Sequence, residues 1–523
     1  MIIFPHDYAA IERDADWRDK LFWPTSLRAL RDATLGFSRK LMQANAQLKT
    51  EEQRLTYVAA MQLFAPWANA VVEAANTLNG LGGPEFASDL PEVLFMSGRA
   101  QSNPGAAEFD RLIRVGSCRR PLARQLVWTA QWTPIWKLPA TLAAPEVVAF
   151  NRNPGLILTA QASRRRIRYD NVEGYYAEIS ATARGEKDGE FGTEALRELL
   201  SITLRDQQLA EPIKQRLLEL MVARLQPILS GVSSQMRALR QARSLPREIW
   251  TGTGGYWPSR IVGLEIMRRG GTVRRFDHGY NYVLNRCIEQ AIYVEAMVST
   301  HFVFVSEDCA RRWQKEPVGE LVSPAAAPQF ESFPRLAAKA AARPAPPNGT
   351  KRSRPKVLYA SGQLKGMWRN LPPPMPTMIH VDWTLRVAEM LQKMPIDLVC
   401  RPHPGGVFAG KTHPLSRSAQ VPNQLFEQLI DGVDVVITDS PFSRVICQAL
   451  CTDKPIVYLD PGYDYFCESV LPLVKQRCSM IDLHYDSRGL PQVDAEQLKT
   501  ALLDAKKPDG ELVRRFRQLF AAE

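Results

Sequence analysis

Four short segments of this 523-residue chain gather side chains that could do chemistry. Arg401-Pro402-His403-Pro404-Gly405-Gly406 sets a guanidinium and an imidazole in a turn stiffened by two prolines. Arginine offers a two-pronged fork to a phosphate, and histidine adds a donor that needs no metal. Thr438-Asp439-Ser440-Pro441-Phe442-Ser443-Arg444 reads as a helix start, with Ser440 at the cap, Pro441 first in the helix and Ser443 near the third position. Free N–H groups and two hydroxyls there would receive an anion. Thr251-Gly252-Thr253-Gly254-Gly255-Tyr256-Trp257-Pro258-Ser259-Arg260 follows an expected strand and opens a helix, and its glycines let a ligand approach the backbone closely. It is not GxGxxG and holds no Walker lysine, which argues against NAD and ATP. Arg275-Phe276-Asp277-His278-Gly279-Tyr280 puts a carboxylate beside an imidazole, as acid–base or nucleophilic work requires. Asp277 is the strongest single catalytic candidate. Each segment also has a plain reading as a turn or a cap.

The elements around these segments must place them at the carboxyl ends of strands, where open α/β sheets bind ligands. In the first half, strands are expected at 93–96, 156–158, 249–251, 273–276 and 301–305. In the second half they are expected at 356–360, 396–400, 434–437 and 455–459, alternating with helices. Residues 8–80 and 188–244 carry apolar positions at helical spacing. The Ala/Pro/basic run 336–355 has linker composition. The expected fold is therefore α/β and GT-B-like: two Rossmann-like domains facing a cleft, with extra helical segments in the N-terminal half. Residues 1–90 form a helical region packed on the first domain. Residues 91–335 form a Rossmann-like acceptor and catalytic domain with a helical insertion at about 188–244. The linker 336–355 leads to a Rossmann-like nucleotide-binding domain at 356–523.

Composition narrows the classes. Hydrophobic residues at 45% and charged residues at 23% exclude bulk disorder, collagen and coiled coil. No run of ~18 apolar residues stands out, and the first residues lack a basic stretch and a long apolar core. A cytoplasmic protein is expected. The eight cysteines show no CxxC and no zinc spacing, so they read as reduced thiols. Asp-x-Asp occurs only as Asp14-Ala15-Asp16, in a helical region, so no metal is expected. The net charge of +11 suits an anionic substrate or a membrane surface without singling out nucleic acid.

Residues 396–460 resemble the nucleotide-binding half of GT-B surface-polysaccharide transferases. Arg401-Pro-His-Pro404 resembles the His-Pro motif of bacterial sialyltransferases and capsule Kdo transferases. It is also similar to the Arg-x-His-Pro of CDP-glycerol glycerophosphotransferases. Ser440 and Ser443 resemble the serine motif that follows in those enzymes, and Asp453-Lys-Pro-Ile-Val457 resembles their Gly-Lys-Pro-Val element with Asp for Gly. Common retaining GT-B enzymes carry two glutamates where this chain has Ser440 and Gln448. That departure favours a CMP donor over UDP- or ADP-hexose. In the first half, Asp277-His278-Gly279 after the glycines 252–255 resembles the retaining β-Kdo transferases, CMP-Kdo-dependent enzymes of lipopolysaccharide and capsule assembly.

The resemblance spans roughly 248–310 and 356–465. It implies that Asp277 is the nucleophile of a double displacement with CMP as leaving group. Arg401, His403, Ser440 and Ser443, with Gly254, Gly255 and Gln363, would hold the donor nucleotide and its phosphate. His278 or Glu173 would serve the acceptor hydroxyl, and the basic clusters at 164–168 and 274–275 would meet the Kdo carboxylate. It implies no cofactor and no metal; the CMP-sugar is a substrate. The partners implied are a nucleotide-sugar donor and a glycan or lipid-linked glycan acceptor, not nucleic acid. The basic balance would suit peripheral association at the inner face of the cytoplasmic membrane. Two alternatives stay open: a CDP-alditol phosphotransferase, in which His278-Gly279 supplies the base, and a non-catalytic GT-B-like scaffold or binding protein.

Overall fold

Short runs of Val, Ile, Phe and Tyr, most of them closed by Gly, Asn, Asp or Ser, build two parallel sheets in this chain. The computed structural model describes residues 1–82, 85–105, 109–113, 122–182, 192–277, 281–321, 328–332, 353–369, 371–417, 419–505 and 507–520. Near the N-terminus β1 (Ile2–Ile3) and β2 (Phe86–Ala87) pair as a parallel ribbon. The first large sheet holds β3 (Val147–Phe150), β4 (Ile167–Tyr169), β5 (Glu248–Thr251), β6 (Thr272–Phe276), β7 (His301–Phe304) and β8 (Gln329–Ser332). Its order is β4-β3-β5-β6-β7-β8. The second holds β9 (Lys356–Ala360), β10 (Asp397–Arg401), β11 (Val435–Thr438), β12 (Ile456–Asp460) and β13 (Ser479–Asp482), in the order β10-β9-β11-β12-β13. A small antiparallel ribbon, β14 (His484–Tyr485) with β15 (Pro491–Gln492), follows.

All four residues of β3 and all four of β11 are buried, as strands covered by helices on both faces must be. In each sheet the first strand lies between the second and the third. The chain therefore leaves it in opposite directions, and a crevice opens at its carboxyl end, between β3 and β5 and between β9 and β11. This mixed α/β arrangement is compatible with two Rossmann-like domains.

Two expected strands are helices instead. Residues 93–96 belong to the helix Pro91–Met96, and 156–158 to the helix Pro154–Ala162. Apolar runs this short carry no period of their own. A proline at the first turn decides both, and Asn153 caps the second by accepting from the Leu156 N–H at 2.8 Å. The strands of that region are β3 and β4. Of the expected linker, residues 336–352 lie outside the described residues, as do residues 188–191 at the start of the expected insertion. The rest of that insertion forms the helices Thr193–Leu204 and Glu211–Arg240.

The N-terminal region touches both sheets' domains. Its long helix Glu51–Leu81 starts at a Thr50/Gln53 capping box. Among the described residues it alone is long and apolar enough to cross a membrane, and 89% of its apolar window is buried inside the protein. On one side Arg260 donates to the Ala59 and Val58 carbonyls at 2.9 and 2.6 Å. On the other the Arg369 N–H donates to the Pro66 carbonyl at 3.0 Å. Arg18 adds ion pairs to Asp382 and Glu389 at 3.0 and 2.6 Å. The two halves also meet directly: residues 284–286 run antiparallel to 465–467, with Arg286 N–H to Tyr465 O at 2.7 Å and Cys467 N–H to Leu284 O at 2.8 Å.

Candidate functional site

Three loops converge at the carboxyl end of the second sheet, after β9, β10 and β11. The loop after β9 begins Ser361-Gly362-Gln363-Leu364-Lys365. Leu364 is bridged to Gly406 in the loop after β10, and the Val407 N–H donates to the Leu364 carbonyl at 2.8 Å. Glycine is required at the contact: Gly406 has φ +106°, and a Cβ there would lie 2.2 Å from the Leu364 oxygen. Gln363 is set against Gly405, where a Cβ would come within 2.9 Å of its amide nitrogen. Gly362 packs on the third loop in the same way, since a Cβ there would meet Ser440 Oγ at 2.7 Å. Gln363, Arg401, His403 and Ser440 are thus brought to one sheet edge.

The electrostatics of this edge are cationic. His403 Nδ1 accepts from the Gly405 N–H at 3.0 Å, which leaves the proton on Nε2 when the ring is neutral. Burial, with the positive charges of Lys365 and Arg401, holds His403 below the usual histidine range. It is therefore a neutral N–H donor at pH 7. Burial, and then Arg369, bring Lys365 down to about 8, so it is still mostly charged. Arg401 donates to the Pro402 carbonyl at 3.0 Å. Beneath them Asp439 is fully buried and accepts from Tyr359 Oη at 2.7 Å and Trp383 Nε1 at 3.0 Å, with His380 Nε2 at 3.7 Å. Burial pushes its carboxyl up, but these donors outweigh it and hold it below the usual carboxylate range. An ionised Asp439 fixes the floor under Ser440.

The serine motif is shifted from its expected register. The cap is Ser443, whose Oγ accepts from the Val445 N–H at 3.1 Å, and the helix Arg444–Leu450 begins one residue later. Thr438 Oγ1 accepts from the Ser440 N–H at 3.3 Å, so the chain turns through Ser440 and Pro441 before the helix starts. Gln448, in that helix, donates to Glu427 at 2.6 Å.

The first sheet makes its own cluster. Asp277 directly follows β6 and is 1% exposed; its N–H donates to the Val303 carbonyl at 2.9 Å. Asn153 Nδ2 reaches the carbonyls of Gly252, Phe276 and Asp277 at 3.1, 3.0 and 3.3 Å, tying three strand ends together. Glu173, in the helix Val172–Thr182, accepts from Tyr256 Oη at 2.7 Å. Tyr256 closes the glycine loop, so Glu173 joins the same edge. His278 lies outside the described residues.

Two expected roles do not fit this geometry. The Gly254 N–H donates to Glu295 Oε2 at 2.5 Å and the Gly255 N–H to Thr253 Oγ1 at 3.0 Å. An internal carboxylate fills the place foreseen for a donor phosphate, and the loop belongs to the other sheet from Arg401. The basic clusters are also committed. Arg275 is fully buried on the carbonyls of Val298, Thr253 and Ser259, at 2.7, 2.8 and 3.2 Å. Arg274 pairs with Glu331 at 2.6 Å and Arg165 with Glu248 at 2.7 Å.

Cys447 lies on the helix capped by Ser443, and burial pushes its thiol well above its ordinary value; the Asp277 carboxylate of the other half adds to that shift. Lys365, Asn153 and His380 were not singled out from sequence. Only Asn153 had a local signal, Asn followed by Pro-Gly at a helix start. Among the described residues no three His, Cys, Asp or Glu gather as a metal site. Compared with models of known protein families and with curated proteins, the chain matches none.

Proposed function

We propose that this chain is a GT-B glycosyltransferase that takes a sugar from a CMP donor, with CMP-Kdo as first choice, and extends a bacterial surface glycan by retaining double displacement. The observation that carries the reading is the convergence of Gln363, Arg401, His403 and Ser440 at the β9/β11 crevice. One compact group of donors suits one phosphate. Neutral His403 would donate from Nε2, and Arg401 and Lys365 would supply charge.

In the first step an Asp277 oxygen attacks the anomeric carbon. The bond from that carbon to the CMP phosphate oxygen breaks, and CMP leaves with its electron pair. In the second step the acceptor hydroxyl attacks the same carbon from the opposite side and frees Asp277. Its proton passes to Glu173 or His278. Asp277 is 1% exposed in this form, so the sugar reaches it only when the surrounding chain parts.

A thermal-shift series with CMP, CDP, UDP, ADP and NAD, without added metal, tests the reading. A ligand at 100 times its Kd adds about 2.7 kcal/mol of stability. Stabilisation by CMP above the others is expected. Stabilisation by CDP or UDP instead would transfer the proposal to alditol or hexose donors, and no response to any nucleotide would end it.

A further inference from the structure

We propose that the cleft between the helix ends at Leu81, Met96 and Ile213 binds a single-chain aliphatic carboxylate. The cleft holds about 680 Å³, within the range of small-molecule sites. Leu78 and Leu81 come from the end of the helix Glu51–Leu81, and Phe86 from β2. Met96 closes the helix Pro91–Met96, and Ile213 lies in the first turn of the helix Glu211–Arg240. These five side chains make an apolar wall. Arg99 and Arg216 stand in the same cleft, and contacts to backbone carbonyls fix both guanidiniums. Gly98, at φ +79°, turns the chain after the helix Pro91–Met96, and Arg99 Nη1 donates to the Phe86 carbonyl at 2.5 Å. Arg216 Nη1 donates to the Phe95 and Ala100 carbonyls at 3.1 and 3.3 Å.

Charge and wall chemistry together commit the cleft to one class of ligand. Neither guanidinium has a carboxylate partner among the described residues, so each keeps N–H groups for an anion. Glu85 is the one acid lining the cleft among the described residues, and it is exposed. Two guanidiniums against one carboxylate leave the cleft net positive. A guanidinium fork receives a carboxylate through paired hydrogen bonds, and an alkyl chain behind that head would cover the apolar wall. A bare inorganic anion fits worse, because it would leave that wall in water. A nucleotide fits worse too: the Phe86 ring, on which a base would stack, already packs against Phe4 and lies under Arg99. The inference does not depend on the proposed chemistry and uses none of its residues.

Isothermal titration of the full chain tests it, with laurate, dodecanol and acetate as probes. Laurate should bind at a single site per chain, dodecanol about tenfold more weakly, and acetate not measurably. Arg99→Gln, at an exposed position, should lower laurate affinity about tenfold, leave dodecanol unchanged and keep the wild-type melting temperature. Ile213→Trp, which fills the cleft from its apolar wall, should abolish binding of both. Absence of laurate binding, or equal affinity of the wild type for laurate and dodecanol, would overturn the proposal. Laurate binding that both variants leave unchanged would overturn it as well, because the acid would then sit elsewhere on the chain.

Discussion

Asn153 and Asp277 are joined across two strand ends, the Asn153 side-chain amide donating to the Asp277 carbonyl at 3.3 Å. The same nitrogen serves the Gly252 and Phe276 carbonyls, while the Asn153 oxygen caps the helix Pro154–Ala162. One side chain thus sets both the backbone on which the proposed nucleophile sits and the glycine loop beside it. Asn153→Ala removes a cap worth about 1 kcal/mol and the one donor shared by these carbonyls, so a loss of about 2 kcal/mol or more is expected in urea unfolding. Transfer should fall further than stability explains. Unchanged kcat in a folded Asn153→Ala protein would leave Asp277 positioned by its strand alone.

Asp277→Asn keeps size and burial but removes the nucleophilic charge. Transfer should be abolished, while CMP affinity, measured by calorimetry, stays within a few-fold of wild type. Full activity in this variant would end the double-displacement mechanism.

His403 and Lys365 give the proposed phosphate site pH signatures of the same sign in separate pH ranges. His403→Ala should weaken CMP binding by ~1.5–3 kcal/mol, the range for a hydrogen bond to a charged group. Burial keeps His403 below the usual histidine range, so its donor stays neutral and constant across neutral pH. Only acid charges it, and CMP binding should then tighten. Lys365, at about 8, loses its charge as pH rises through that value, so CMP affinity should decline in mild alkali. Lys365→Arg should abolish that decline. A flat wild-type profile from pH 7 to about 9.5 would remove Lys365 from the site.

The two serines separate by role. Ser443 caps the helix Arg444–Leu450, and Ser443→Ala should cost about 1 kcal/mol of stability. Ser440 is buried against Gly362 over the Asp439 floor and takes no part in that cap. Ser440→Ala should leave stability near wild type and weaken CMP binding. The reverse pattern in melting and binding assays would exchange their roles.

Four of the five strands of the second sheet are legible in the sequence as short apolar runs followed by Ser, Pro or Asp, and they bring Arg401, His403 and Ser440 to a common edge; β13, Ser-Met-Ile-Asp, carries no such run and was not expected. The errors arose where local signals were ambiguous. Residues 93–96 and 156–158 are apolar runs too short to show a period, and prolines with a capping Asn made them helices. Ser440 and Ser443 both suit a cap, and only the turn closed by Thr438 Oγ1 selects Ser443. Gly252 and Gly254 signal a close approach, and the approaching groups are the protein's own: the Asn151 carbonyl at Gly252, and the Val294 carbonyl and Glu295 carboxylate at Gly254. The role of residues 1–82 was not legible, because Arg260 and Arg369 reach them, and Arg18 reaches out from them to Asp382, only across the folded chain.

That N-terminal strut carries a titratable pair with a defined pH signature. Burial pushes Glu73 up to about 7, and Arg369, whose Nε lies 3.0 Å away, offsets this only in part. Unfolded, the same carboxyl titrates near its ordinary 4.5. Between these values the folded protein holds a proton that the unfolded chain has lost, so stability falls as pH rises from 4.5 to about 7 and then levels. His6, whose Nδ1 is 3.1 Å from Arg369, acts in the opposite sense. Burial holds it well below its ordinary 6.5, so it costs stability as pH falls through that value. Glu73→Gln removes the first effect and leaves the second. The stability of Glu73→Gln relative to wild type should therefore climb by about 3 kcal/mol across that window and stay constant above it. A difference independent of pH would mean that Glu73 is ionised against Arg369 throughout, with the strut held by a full ion pair.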